Sequence, residues 1–92
     1  MKVLLIGSPR AVLGQAQVEV DAGTAREVLA ELDRRAGGRI PELDRAGTPG
    51  GPYLILVNGH SVTGLRGLET ELRPKDVVTV LSLTASGPES TA

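Results

Sequence analysis

The chain has 92 residues, 40% of them hydrophobic, and a formal net charge of −1 with acidic and basic residues interspersed. It has no cysteine, phenylalanine or tryptophan and a single tyrosine, which excludes disulfides, thiolate chemistry, cysteine-ligated zinc and an aromatic platform for bases. There is no basic stripe for phosphate binding and no run long enough to cross a bilayer. We therefore expect one cytoplasmic domain with neither a nucleic-acid nor a membrane partner.

The first segments predict a β-hairpin. Lys2 to Ile6 is apolar after its first residue, which predicts a strand, and Gly7-Ser8-Pro9 would end that strand. Gln17 to Val20 alternates polar and apolar residues, the pattern of a half-buried strand, so Val18 and Val20 should face the core. We interpret Arg10 to Gly14, between the two strands, as a connector.

An amphipathic helix is predicted from Thr24 to Ala36. Thr24 and Glu27 have the spacing of a capping box, and Gly37-Gly38 is a C-terminal stop. One apolar stripe recurs at helical spacing and should lie on a sheet: Ala25, Val28, Leu29, Leu32 and Ala36.

The second half predicts a loop and a second hairpin. Arg39 to Pro52 is rich in glycine and proline, with Ile40 and Leu43 available to tuck it against the core. Tyr53 to Val57 is a third strand. Asn58-Gly59 favours a type I′ turn, after which His60 to Val62 returns as a short strand.

A final strand, Val77 to Leu83, follows an irregular segment from Gly64 to Asp76 whose Leu65, Leu68 and Leu72 could plug the core. The first and last strands are the most apolar pair, so we place them side by side in the centre, in parallel. The predicted fold class is α+β: a mixed four- to five-stranded sheet with one main helix packed across it, the β-grasp arrangement.

These features together resemble the MoaD/ThiS family of ubiquitin-like sulfur carriers. The residues that carry the resemblance are the opening Met1-Lys2-Val3, the helix after Gly23-Thr24, the Val57-Asn58-Gly59 turn, and the segment from Leu72 to Val78. The resemblance covers nearly the whole chain. It implies a β-grasp domain over residues 1–84 and a flexible C-terminal tail over residues 85–92.

The family pattern leads from an aspartate before the last strand into a C-terminal Gly-Gly. Laid on Asp76, the pattern places the two glycines at Ser86 and Gly87, reached through Thr84 and Ala85. This sequence departs from the family in having serine at the first of these positions, and in continuing for five residues after Gly87.

The resemblance implies a protein cosubstrate that is not itself a catalyst. An E1-like adenylating enzyme would use ATP to activate the carboxylate of Gly87, after a processing protease removes residues 88–92. A sulfur donor would then form a thiocarboxylate, and the carrier would pass its sulfur to a synthase in cofactor or metabolite biosynthesis, such as that of molybdopterin or thiamin. No cofactor is expected on the carrier itself.

Two other readings remain open. The first is a non-transferring β-grasp interaction module, such as a small subunit that docks on a partner enzyme through the exposed sheet face. A stand-alone enzyme has the least support, because His60 is the only histidine and has no partners for zinc or for a nucleophile. Lys75 and Asp76 are typical of a turn that enters a strand, and Gly47 to Gly51 lacks the Gly-Lys-Ser/Thr ending of a phosphate loop.

Overall fold

A computed structural model describes residues 1–48 and 51–83. Over these residues the chain forms five strands, two α-helices and three short 3₁₀ turns (Leu43–Arg45, Val62–Gly64 and Gly67–Glu69). The main elements are β1 (Lys2–Ile6), α1 (Ser8–Leu13), β2 (Gln17–Glu19), α2 (Ala25–Ala36), β3 (Tyr53–Val57), β4 (His60–Ser61) and β5 (Val77–Ser82).

The strands form one mixed sheet in the order β2-β1-β5-β3-β4. β1 pairs with β5 in parallel, with Lys2 opposite Val77 and Ile6 opposite Leu81, while the other three pairings are antiparallel. A parallel pair requires a crossover between its strands, and α2 lies within that crossover. The predicted β-grasp arrangement, with the first and last strands central, is confirmed.

Helix α2 has the predicted bounds and the predicted buried stripe. The Thr24 side chain accepts a hydrogen bond from the Glu27 backbone N–H at 3.3 Å, and Gly37 ends the helix with φ of 62°. The Glu27 carboxylate, however, accepts from the N–H of Gly23 at 2.7 Å, one residue before the cap. All five stripe residues are buried, and they pack in one core with side chains of the central strands: Val3, Leu5, Ile55, Val78 and Val80.

The long loop before β3 is fixed at both ends. Ile40 and Leu43 are buried as predicted, with 2% and 3% of their surfaces exposed. The hydroxyl of Tyr53 donates to the backbone oxygen of Pro41, which ties the loop to the start of β3. Burial, and to a smaller degree the charge of Glu42, raises the pKa of Tyr53.

The connector predicted from Arg10 to Gly14 is wrong, because most of it is helix α1. Gly7, with φ of 81°, precedes the helix, Pro9 fits its first turn, and Gly14 ends it in a left-handed conformation. Val12 and Leu13 pack against the core. A six-residue helix is too short for a clear periodic signal, and it is stabilised by this packing.

Smaller differences concern Leu65 and the strand ends. Leu65, between two 3₁₀ turns, is 49% exposed and does not pack into the core, whereas Leu72 is buried and Leu68 packs against the core. β2, β4 and β5 each end one residue earlier than predicted. Val18 and Val20 are both buried as predicted.

A charged cluster ties the surface of α2 to β2. The carboxylate of Glu31 accepts hydrogen bonds from Arg34 and Arg35, at 3.0 and 2.7 Å from their Nε atoms. Arg35 also donates to the backbone oxygen of Glu19 at 2.8 Å. The bonds from Arg34, and then those from Arg35, lower the pKa of Glu31 to about 2.

We expect Glu31→Gln to lower the urea midpoint of unfolding at neutral pH. Because folding lowers the Glu31 pKa from its ordinary value of 4.5 to about 2, its stabilising effect is complete above pH 4.5 and is lost as the pH falls through 2. The midpoint difference between the native chain and the variant should shrink over that window. Glu71→Gln, at an exposed position, is the control; an equal pH dependence in the control would contradict the prediction.

Candidate functional site: an open sheet face beside the end of β5

One face of the sheet is covered by α2, and the other is lined by two rows of mostly aliphatic side chains. The register places Ile6, Leu81 and Leu54 side by side across β1, β5 and β3. Leu4, Thr79 and Leu56 form the next row. We call these six residues the open face. Ile6 is 50% exposed, and the other five are partly exposed.

The open face is more apolar than a solvent-facing sheet surface usually is. Sheets with one face in water normally alternate apolar and polar residues, whereas strands covered on both faces are apolar throughout. β1 is apolar after Lys2, and β5 is apolar apart from Thr79 and Ser82, although α2 covers only one side of the sheet. Exposed apolar side chains that adjoin one another make this face a candidate interaction surface.

The row of Ile6, Leu81 and Leu54 lies at the end of the sheet where the chain leaves β5. Leu83, the last described residue, is 53% exposed, and its N–H donates to the backbone oxygen of Pro52 at 2.8 Å. The predicted tail residues Thr84, Ala85, Ser86 and Gly87 lie outside the described residues. The described part of β5 and Leu83 therefore ends beside the row of Ile6, Leu81 and Leu54.

Gly7 lies against the last residue of β5. A Cβ atom at Gly7 would come within 2.8 Å of the Cβ of Ser82, and the φ of 81° is a conformation that other residues rarely adopt. The sequence alone predicts Gly7 only as a residue that ends the first strand. The two residues are distant in the sequence, so only the parallel pairing of β1 with β5 brings them together.

Asp76, from which the tail positions were counted, has a structural role. Its carboxylate accepts from the backbone N–H of Arg73 at 2.8 Å and from the side-chain amide of Asn58 at 3.0 Å. The Asn58 side chain in turn accepts from the N–H of Val77 at 2.9 Å. The bond from Arg73, followed by that from Asn58, lowers the pKa of Asp76. The group joins the β3–β4 turn to the start of β5.

The described residues hold no convergent set for metal binding. No group of three or more His, Cys, Asp or Glu side chains within residues 1–48 and 51–83 could hold a metal ion. His60 is exposed after the Asn58-Gly59 turn, in which both φ angles are positive as predicted. In the same ranges we find no helix with the length and apolar character needed to cross a bilayer.

Comparison with known protein families matches residues 3–87 to the ThiS family. The chain belongs to the ThiS family. The resemblance predicted from the sequence is thereby confirmed. A relative described as a candidate sulfur carrier protein, from Archaeoglobus fulgidus, is 31% identical over 80 residues, which cover 84% of this chain and 91% of the relative.

Solved structures place this ThiS-family chain among ubiquitin-like proteins. The small archaeal modifier protein 1 of Methanosarcina acetivorans is 26% identical, with a TM-score of 0.71 and 94% of each chain covered. CysO of Mycobacterium tuberculosis is also 26% identical, with a TM-score of 0.64, 88% of this chain and 96% of that chain covered. Both likenesses extend over nearly the whole domain.

Proposed function

We propose that this member of the ThiS family is a sulfur carrier whose functional terminus is Gly87, exposed by removal of residues 88–92. The observation that carries the proposal is the family match, which extends from residue 3 to residue 87. The carrier would be a cosubstrate in the cytoplasm and not a catalyst, with an E1-like adenylating enzyme and a sulfur-accepting synthase as its partners. A processing protease would be its third partner.

The chemistry would take place on the terminal carboxylate. A carboxylate oxygen attacks the α-phosphorus of ATP, forms the acyl-adenylate and releases pyrophosphate. A sulfur nucleophile at the oxidation level of sulfide then attacks the acyl carbon, forms the C–S bond and displaces AMP, which leaves a thiocarboxylate. ATP is bound by the partner enzyme, so the carrier needs no cofactor of its own.

The carrier's own contribution would be to dock and to present its terminus. The open face offers an aliphatic surface beside the point where β5 ends. A partner that covers Ile6, Leu54 and Leu81 would therefore stand next to the end of β5. Small residues at Thr84, Ala85, Ser86 and Gly87 suit a narrow approach to an active site, because little or no side chain obstructs it.

The test is formation of the thiocarboxylate on a chain that ends at Gly87. The chain is incubated with the adenylating enzyme of the same cell, ATP and sulfide, and its C-terminal peptide is examined by mass spectrometry. We expect one oxygen of the Gly87 carboxylate to be replaced by sulfur. A matched chain that ends at Ser86 should remain unmodified.

The same experiment, together with a measurement of binding to the adenylating enzyme, distinguishes the sulfur carrier from a second candidate function. An interaction module that docks through the open face would bind its partner without any change at the terminus. If the chain ending at Gly87 binds the adenylating enzyme but is never modified, sulfur carriage is wrong and the docking module takes its place.

A further inference from the structure

A second surface lies on the helix side of the molecule, away from the open face. It is a groove of about 440 Å³ between α2 and the segment 38–44, which Leu68 also lines. Leu29, Ile40 and Leu43 form its floor. Since α2 packs on the opposite side of the sheet from Leu54 and Leu81, an occupant of the groove would leave the open face free.

The groove exposes little apolar surface. The floor residues are already buried in the core, with at most 6% of their surfaces exposed. Apolar contact is therefore available mainly from Ala30 and Pro41, which are exposed, and from Leu68, which is partly exposed. Such a surface can hold one aliphatic side chain but cannot enclose a whole small molecule, whose sites usually bury most of the ligand.

The rim of the groove is acidic. Three carboxylates line it, those of Asp33, Glu42 and Asp44, against the single guanidinium of Arg26. Arg26 already pairs with Glu69 at 2.6 Å, and Glu42 with Arg45 at 3.3 Å. Within residues 1–48 and 51–83, neither aspartate forms an ion pair, and both are exposed.

We propose that this groove docks a segment of a partner protein in which an aliphatic side chain is flanked by arginine or lysine. The aliphatic side chain contacts Ala30, Pro41 and Leu68, while the flanking cations pair with Asp33 and Asp44. Charge complementarity of this kind steers association and selects partners. The proposal is independent of what the terminus carries, and it gives the domain two docking surfaces that can be occupied together.

The probe is a short synthetic peptide with a central leucine flanked on both sides by arginines. It is titrated into the ¹⁵N-labelled full-length chain and followed by NMR. We expect the shifted amide signals to cluster at Ala30, Asp33 and the segment 38–44. A second peptide with glutamate in place of each arginine should produce no saturable shift, because its charges match those of the rim.

Two double variants test whether the aspartates of the rim bind the peptide. Asp33→Asn combined with Asp44→Asn keeps the shape of the rim and should weaken binding about tenfold, roughly threefold for each exposed charge removed. Asp21→Asn combined with Glu71→Gln removes two exposed carboxylates outside the groove and should leave the affinity unchanged. Equal weakening by both pairs would show a non-specific attraction of charge and overturn the proposal.

A further pair of variants replaces two exposed alanines, one inside and one outside the groove, by arginine. Ala30→Arg places bulk and positive charge in the groove and should abolish peptide binding, whereas Ala11→Arg on α1 should have no effect. Both sites are exposed, so both variants should keep the dispersed NMR spectrum of the folded chain. Retained binding by Ala30→Arg, or shifts centred on Ile6 and Leu81, would place the peptide elsewhere and contradict the proposal.

Discussion

A chain shortened to end at Gly87 is expected to support ATP–pyrophosphate exchange with its adenylating enzyme, whereas the full-length chain is expected to support none. In a chain of all 92 residues of the sequence, the terminal carboxylate is that of Ala92, five residues beyond Gly87. Pro88, with its fixed φ, follows Gly87 directly and further restricts the approach. The exchange rate of each chain at equal concentration is the measurement.

Ser86 supplies an internal comparison. Ser86→Gly removes a Cβ and a hydroxyl next to the reacting glycine, so in the shortened chain it should improve exchange modestly, by up to the ~1–3 kcal/mol typical of slight overpacking. The same change in the full-length chain should do nothing, because the carboxylate there is misplaced. Exchange by the full-length chain, or its absence from both shortened chains, would contradict the prediction.

Ile6→Asp is expected to prevent productive docking on the adenylating enzyme. Ile6 is half exposed in the row that includes Leu81 and Leu54, next to the end of β5. A carboxylate placed there would be desolvated on contact with an apolar partner surface, at a cost of about 2 kcal/mol or more, as for other central interface positions. We expect KM for the shortened chain in the exchange assay to rise roughly 30-fold.

Leu65→Asp is the matched control for this substitution. Leu65 and Ile6 are equally exposed aliphatic residues, at 49% and 50%, but Leu65 lies outside the open face, between two 3₁₀ turns. The KM of the Leu65→Asp variant should stay within a factor of about two of the KM of the unsubstituted chain, as expected for a surface change away from the interface. A comparable rise in KM for both variants would show that the open face is not the docking surface.

Features with local signals could be predicted from the sequence. The cap at Thr24, the stripe of α2 and the stop at Gly37 are encoded within one stretch of chain, and the structure confirms all three. The Asn58-Gly59 turn has the same local origin. The central position of β5 followed from its almost continuous apolar run, which is typical of an interior strand.

Features that depend on distant residues could not be predicted in the same way. The open face combines residues of β1, β3 and β5, and an apolar run does not reveal which of its two faces a helix covers. The contact of Gly7 with Ser82 arises only once β1 and β5 are paired. The groove likewise joins α2, the segment 38–44 and Leu68, whose spacing along the chain has no period.

The central claim, that Gly87 is the sulfur-carrying terminus, is tested most directly by the intact mass of the protein purified from its own cell. We predict a chain that ends at Gly87, with a fraction of the molecules heavier by the replacement of one carboxylate oxygen by sulfur. A population in which every molecule retains residues 88–92, and none carries the additional sulfur, would contradict the claim.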